Sequence, residues 1–235
     1  MKYIVSFLFM FSSLIANEYY AKIEPINTYN IKSSVSGKVI YTNSALEATL
    51  AVNKVVVKID DKINNIELRQ TKNKQSNLSQ ILKIHKQTLQ RFNRVSSKSK
   101  FDKDKQKIVI LNTKVTLNDL SIKIASLQDM IKNKNVKAKN LYIDKIYVEI
   151  GDFVNPGTLL FTGFDLSKGK LDIFVSKDEL KDIRKKEILI NDKKSNIKIN
   201  KVYKTTDSKH LSSYKVELLL PKVEQFSKLV KITLK

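Results

Sequence analysis

Side chains suited to catalysis or metal binding are few in this 235-residue chain. It has no cysteine, which excludes disulfides and thiolate sites, and two histidines, His85 and His210. The two histidines stand in different predicted elements, a helix and a loop before a strand. The acidic pair Asp178-Glu179 stands where a short helix begins, which is where the helix dipole favours acids. With no glycine-rich phosphate loop or nucleophile motif, the sequence predicts no enzyme, no cofactor and no metal site.

The charge balance raises a second class of function, the binding of a polyanion. The chain has 44 Lys and Arg against 23 Asp and Glu, a net charge of +21, which taken alone suggests nucleic acid or an anionic membrane. The lysines, however, are dispersed, and no arginine-rich or aromatic-interleaved patch appears. We therefore expect no nucleic-acid partner. With 42% hydrophobic residues the chain can bury a core.

The N-terminus has the composition of a secretory signal peptide. Lys2 precedes an apolar run from Ile4 to Ile15, and Ala16 provides a small residue at its end. The run is shorter than the roughly 20 residues that a membrane-spanning helix needs. We expect residues 1–16 to be removed after Ala16 and the protein to be exported, with no lipid anchor on an N-terminal cysteine.

Three of the few glycines and prolines lie between Gly151 and Gly157, inside a segment that predicts two short strands around a tight turn. Pro156 and Gly157 suit the two central positions of a type II turn, the second of which requires positive φ. The pattern Gly151-Asp152-x-Val-x-x-Gly157-x-x-Leu160 resembles one half of a biotinyl- or lipoyl-type β-hammerhead. Such a domain has two similar halves, so a second copy is expected.

The segment from Ile31 to Asp60 matches this second copy. Gly37 stands at its opening, and Asn53 aligns with Gly157; Asn tolerates the left-handed region better than most residues. The same alignment places Glu47 opposite Gly151. In lipoate or biotin carriers the modified lysine stands on the turn that joins the halves, and here a long insert replaces that turn. The resemblance therefore implies a split lipoyl-like domain without a bound cofactor.

The insert, residues 62–137, contains no Gly or Pro and predicts two helices that pack along one seam. We place the turn between them at 96–100 and expect each arm to extend about 50 Å; a globular helical insert is the alternative. Apolar residues at 3–4 spacing predict the first arm's seam at Leu68, Leu78, Leu82, Leu89 and Phe92, with Gln75 and His85 as polar interruptions. The second arm's predicted seam is Leu117, Leu120, Ile124, Leu127 and Ile131, preceded by Phe101, Ile108, Leu111 and Val115.

Residues 166–235 predict short strands and one short helix, which is typical of a small β-barrel. The fold class is therefore α+β, mostly β, with a long α-helical coiled-coil hairpin, a split lipoyl-like β-hammerhead and a small β-barrel. The predicted organisation is 1–16 signal peptide, 17–61 barrel lead strand and first lipoyl-like half, 62–137 hairpin, 138–165 second half, and 166–235 barrel.

This order resembles the HlyD-type periplasmic adaptor, or membrane-fusion, proteins of bacterial tripartite efflux pumps and type I secretion systems. Its most specific parts are the segments 151–160 and 171–183. The resemblance implies a periplasmic protein, peripheral to the inner membrane. It would link an inner-membrane transporter, ABC-type or proton-driven, to an outer-membrane TolC-like channel. It also implies a homo-oligomer, commonly a hexamer.

The hairpin tip is where the family meets its channel. Family tips carry an arginine, an aliphatic residue about one turn later and then a serine. The nearest matches here are Arg91, Val95 and either Ser97 or Ser99, flanked by Arg94 and Phe101.

One alternative to the adaptor remains: an exported basic coiled-coil protein that binds an anionic partner, either a membrane surface or nucleic acid. It would show charge clustered on one face and binding that weakens steeply with salt.

Overall fold

The computed structural model describes residues 17–206 and 208–235, so the predicted signal peptide lies outside the described part. The chain divides into two compact units, one of residues 30–163 and one that combines residues up to 29 with residues 164–235. It is an α+β protein made mostly of strands, with two long helices. In the part of the chain that the structure describes, no helix is long and apolar enough to cross a membrane.

The elements follow the predicted order of strands, two helices and further strands. The strands are β1 (Asn17–Lys22), β2 (Glu24–Lys32), β3 (Gly37–Thr42), β4 (Leu50–Ile59), β5 (Asn135–Ile146), β6 (Phe153–Val154), β7 (Leu159–Ser176), β8 (Ile188–Ile190), β9 (Lys193–Lys194), β10 (Lys198–Val202), β11 (Ser213–Leu220) and β12 (Leu229–Leu234). The helices are α1 (Lys62–Arg94), α2 (Lys100–Asn133) and the short α3 (Lys177–Leu180).

In the unit of residues 30–163, the segments before and after the helices fold into each other. Strand β3 pairs with both β4 and β6, and β4 pairs with β5, all antiparallel. The core takes side chains from both segments: Val39, Ala51, Val56, Val57 and Ile59 from upstream, and Ala138, Ile143, Val148, Val154, Leu160 and Phe161 from downstream. Because neither segment buries its apolar face alone, the two must fold together.

Matching backbone hydrogen bonds relate the two segments. Val39 N–H donates to the Asp152 carbonyl at 2.8 Å, and Gly151 N–H donates to the Val39 carbonyl at 2.9 Å. In the mirror contacts, Ile143 N–H donates to the Thr49 carbonyl at 2.9 Å, and Ala48 N–H donates to the Ile143 carbonyl at 2.8 Å.

These contacts correct the alignment of Glu47 with Gly151. Ala48, with φ +58°, occupies the place of Gly151, with φ +108°. The first copy has one more residue before its turn: Ala48 follows Val39 by nine positions, whereas Gly151 follows Ile143 by eight.

Helices α1 and α2 form an antiparallel hairpin. Side-chain contacts join Glu67 to Lys123 at 2.8 Å and Gln75 to Ser121 at 2.8 Å. The residue number in α2 therefore falls as the residue number in α1 rises. The predicted seam of α1 is half-buried throughout, and that of α2 from Leu117 to Ile131 is half-buried or buried, which confirms both stripes.

The prediction that the remaining four residues of α2 belong to the seam is wrong. Phe101, Ile108, Leu111 and Val115 are 57–74% exposed. Continuing the 3–4 spacing backward from Leu117 reaches Thr113, Ile110 and Gln106, and these three line the interface instead. A stripe displaced by two residues lies about 200° away around a helix, which places it on the outside.

In the other unit, the strands form two ladders around a second core. One is a four-stranded sheet in the order β1-β12-β8-β9, and the other joins β10, β11 and β7. Among the described residues these strands do not close into a barrel. The buried core consists of Ala21, Ile23, Leu171, Ile173, Val175, Ile183, Ile188, Val216, Leu218, Leu220, Val230, Ile232 and Leu234.

Candidate functional site

The loop at the hairpin tip spans residues 95–99 and is held by local hydrogen bonds. Lys98 N–H donates to the Val95 carbonyl at 3.3 Å. The Ser99 hydroxyl caps α2 by accepting from Asp102 N–H at 3.1 Å, and the Asp102 carboxylate lies in the first turn, where it is favoured by the helix dipole. The loop therefore fixes the positions from which the neighbouring side chains extend.

All six predicted tip residues are exposed. Arg91 and Arg94 lie in the last turn of α1, and neither side chain forms an ion pair or a hydrogen bond among the described residues. Val95, Ser97 and Ser99 lie in the loop, and Phe101, 74% exposed, lies in the first turn of α2. Two unpaired guanidinium groups suit contact with carbonyl or carboxylate acceptors, and the exposed Val95 and Phe101 suit apolar contact beside them.

A second surface extends along α2. Phe101, Ile108, Leu111, Val115 and Ile122, here called the outer stripe, are each 57–74% exposed. Four of them are spaced by seven residues, the repeat of a coiled-coil seam. Our sequence reading missed Ile122, although this seven-residue spacing could have found it. A row of exposed apolar side chains of this kind indicates an interaction surface.

Lys134 joins the two helix ends at the base of the hairpin. It is 8% exposed, and its Nζ donates to the Asp60 carbonyl at 2.6 Å and to Asn64 Oδ1 at 2.7 Å. A Cβ on Gly37 would lie 2.6 Å from Ile59 Cγ2, so only glycine fits where β3 approaches this junction. Sequence reasoning missed Lys134 because one lysine among 44 basic residues carries no pattern.

The predicted hammerhead turn residues all lie in the unit of residues 30–163, where they shape the backbone. Thr158 N–H donates to the Asn155 carbonyl at 3.0 Å, which closes the turn through Pro156 and Gly157. Gly157 has φ +93° and Asn53 has φ +51°, so both aligned positions take positive φ.

Asp152, the acidic residue among the predicted hammerhead turn residues, also shapes the backbone. The Asp152 carboxylate accepts from Glu149 N–H at 2.8 Å, closing the adjacent turn. Together these contacts give the residues structural roles rather than chemical ones.

The polar side chains with special environments also serve structure. Gln106 Nε2 lies 3.0 Å from His85 Nδ1 within the hairpin seam, and His210 stacks on Phe174 with ring centroids 3.5 Å apart. Among the described residues, no three His, Cys, Asp or Glu side chains are grouped to hold a metal ion.

The Glu179 carboxylate is the most extensively bonded acid at a helix start. Burial alone would raise the pKa of Glu179, but hydrogen bonds from Tyr19, Asn17 and Ser176 lower it below its usual value. Burial and the hydrogen bond between Tyr19 and Glu179 raise the pKa of Tyr19. Because Glu179 also completes a capping box with Ser176, it secures the start of α3 to β1.

No protein-family model matches the chain, and no curated protein matches its sequence. Solved structures do match. The membrane fusion protein Spr0693 from Streptococcus pneumoniae R6 aligns over 93% of this chain and 98% of its own, with a TM-score of 0.68 and 8% identity. The fold is that of the membrane fusion proteins.

Two further structures support this assignment. A MacA–MexA chimera that carries the Pseudomonas aeruginosa MexA α-hairpin covers 94% of this chain and 81% of its own, with a TM-score of 0.65 and 17% identity. MacA from Actinobacillus actinomycetemcomitans covers 94% and 78%, with a TM-score of 0.62 and 16% identity. At these identities the similarity establishes the membrane fusion protein fold.

Proposed function

We propose that this chain is a periplasmic adaptor that links an inner-membrane transporter to an outer-membrane TolC-like channel. The observation that carries the proposal is a hairpin of two 33–34-residue helices, about 50 Å long, with two unpaired arginines at its tip. The membrane fusion protein fold supports it. In this proposal residues 17–61 supply the barrel's lead strand and the first lipoyl-like half, 62–137 the hairpin, and 138–165 the second lipoyl-like half. Residues 166–235 form the rest of an open form of the family's barrel.

The tip would dock helix to helix with the channel. Arg91 and Arg94 stand one turn apart or less on the exposed end of α1, and their guanidinium groups would donate to carbonyls or carboxylates at the channel's periplasmic end. Val95 and Phe101 would supply apolar contact beside them. The adaptor itself performs no catalysis; it couples and encloses a passage.

The adaptor would act as a homo-oligomeric ring, most simply a hexamer, in which neighbouring hairpins pack side by side. The outer stripe of α2 supplies one apolar face. On α1, Ile63 and Ile81 are 18 residues apart, as are Ile66 and Ile84, which is five helical turns and places all four exposed side chains on one face. The outer stripe of one copy would cover this α1 face of the next, a head-to-tail contact that closes into a ring.

Charge reversal at the tip tests the proposal. We expect the double variant Arg91→Asp/Arg94→Asp to abolish export of the transporter's substrate while circular dichroism shows a folded hairpin, because both side chains are exposed and unpaired. Arg69→Asp/Lys72→Asp makes the same charge change on exposed α1 positions far from the tip and should retain export.

Wild-type export by the tip variant would contradict the docking assignment. An equal loss of export in the tip variant and in the control variant would instead indicate that overall positive charge binds an anionic partner.

A further inference from the structure

A cavity of about 850 Å³ opens between the last turn of α2 and strands β4 and β5, within the unit of residues 30–163. Its volume falls in the range of small-molecule sites, roughly 300–1,000 Å³. The adaptor function proposed above makes no use of it.

Four lysines face this cavity: Lys32, Lys132, Lys137 and Lys139. All four are exposed, and none of their ammonium groups forms an ion pair or a hydrogen bond among the described residues. No Asp or Glu of the described chain lines the cavity. Two lining amides bond to acids outside it: Asn133 Nδ2 donates to the Asp129 carboxylate at 2.9 Å, and Asn135 Nδ2 lies 3.5 Å from the Asp61 carboxylate. Like charges around one space repel each other, so an anion held among them would relieve that repulsion.

The lining is apolar as well as basic. Val55, Ile131 and Val136 contribute apolar surface beside the amide side chains of Asn53 and Asn133. Strand geometry explains the mixture. Lys137 and Lys139, two apart on β5, share one face, while Ala138 between them is buried in the core on the other face.

Bulges bring further side chains to this wall. The β4–β5 register shifts between Val52 and Lys54 and again between Val55 and Val57. Such shifts re-aim side chains, and they leave Val55 and Val136 on the cavity wall although both strands also feed the core.

We propose that this cavity binds an anionic amphiphile, with the apolar chain against Val55, Ile131 and Val136 and the phosphate or carboxylate head among the four lysines. The lysine ammonium groups attract the head as point charges, and the neighbouring amides can donate to its oxygens. An apolar lining with a few convergent polar groups is the usual form of a ligand site. The same chemistry is offered by a free single-chain amphiphile and by an anionic lipid in a bilayer.

Calorimetric titration of the full chain tests the proposal with three matched probes: n-octyl phosphate below its micelle concentration, n-octanol and inorganic phosphate. We expect octyl phosphate to bind one to one and at least about tenfold more tightly than either fragment. Lys137→Gln/Lys139→Gln should weaken that binding by about tenfold or more, since bonds to charged groups are among the stronger ones. The isosteric Val55→Thr should weaken it several-fold.

Lys72→Gln/Lys83→Gln, the same charge change at exposed α1 positions away from the cavity, serves as the control and should leave binding unchanged. Equal weakening by both lysine pairs would overturn the proposal, because it would show diffuse charge attraction. Inorganic phosphate binding as tightly as octyl phosphate, with Val55→Thr silent, would overturn the role of the apolar lining. Binding to phosphatidylglycerol vesicles without binding of octyl phosphate would replace the cavity with a membrane surface.

Discussion

The same substitution, alanine to glycine, should have opposite effects at two positions of the unit that holds the hairpin. Ala48 has φ +58°, a conformation that costs an L-residue roughly 1–2 kcal/mol. Glycine removes this cost but loses about 0.5–1 kcal/mol in backbone entropy relative to alanine. We therefore expect Ala48→Gly to raise the free energy of unfolding by about 0.5–1 kcal/mol.

Ala125 provides the matched control. It is an exposed residue in the middle of α2, where glycine should lower the free energy of unfolding by about 1 kcal/mol. The reciprocal variant, Gly151→Ala, should also destabilise, by about 1–2 kcal/mol, through backbone strain alone. Outside Gly151 and its two chain neighbours, no heavy atom lies within 4 Å of the added Cβ, and the φ of Gly151 is +108°.

Urea unfolding followed by the helical circular dichroism signal reports on this unit, because α1 and α2 belong to it. Stabilisation by Ala48→Gly alongside destabilisation by the other two variants would support the turn correspondence. If Ala48→Gly destabilised the chain as much as Ala125→Gly, Ala48 would not hold a strained copy of the Gly151 turn.

Three further predictions concern Lys134, Glu179 and the outer stripe. Lys134→Met should lower the free energy of unfolding by about 2–3 kcal/mol in urea titrations, because the Asp60 carbonyl and Asn64 Oδ1 lose a charged donor; Lys132→Met, exposed on the same turn, should change it by under about 0.5 kcal/mol. The pKa of Glu179 in the folded chain is lowered from its ordinary 4.5. Ionised Glu179 should therefore stabilise the fold fully above pH 4.5, and this contribution should be lost as the pH falls through the folded pKa. A Glu179→Gln variant should lack this acid-side loss in thermal melts at stepped pH. Leu111→Gln/Val115→Gln should shift sedimentation from oligomer to monomer without unfolding the chain, and an unchanged oligomer would exclude the stripe as the contact.

Local geometry allowed the long elements to be predicted from sequence. The absence of Gly and Pro over 62–137 and the 3–4 spacing of Leu117–Ile131 indicate helices and their seam, because both depend on a few neighbouring residues. The stripe through Phe101 and Val115 has equally good spacing, so periodicity cannot decide which apolar stripe faces the partner. That choice depends on the register with α1, a tertiary property.

Features that depend on contacts between distant residues were not predictable. Ala48 replaces glycine at a positive-φ turn, and only its hydrogen bond to Ile143 reveals the correspondence. Lys134 is one of many lysines until Asp60 and Asn64 surround its Nζ. The four lysines of the cavity come from three separate elements, and their sequence positions give no sign that they face one space.

Crosslinking in cells tests the adaptor function most directly, because the chain has no cysteine of its own. Single cysteines at Arg94, Ser97 and Ser99 place a reactive group on the hairpin tip, and one at Lys72, about 33 Å away along α1, serves as the control. The adaptor function predicts a crosslink to an outer-membrane channel from the tip cysteines and not from the control. Crosslinks from the tip only to other copies of the chain, or to nothing, in a folded and exported protein would contradict it.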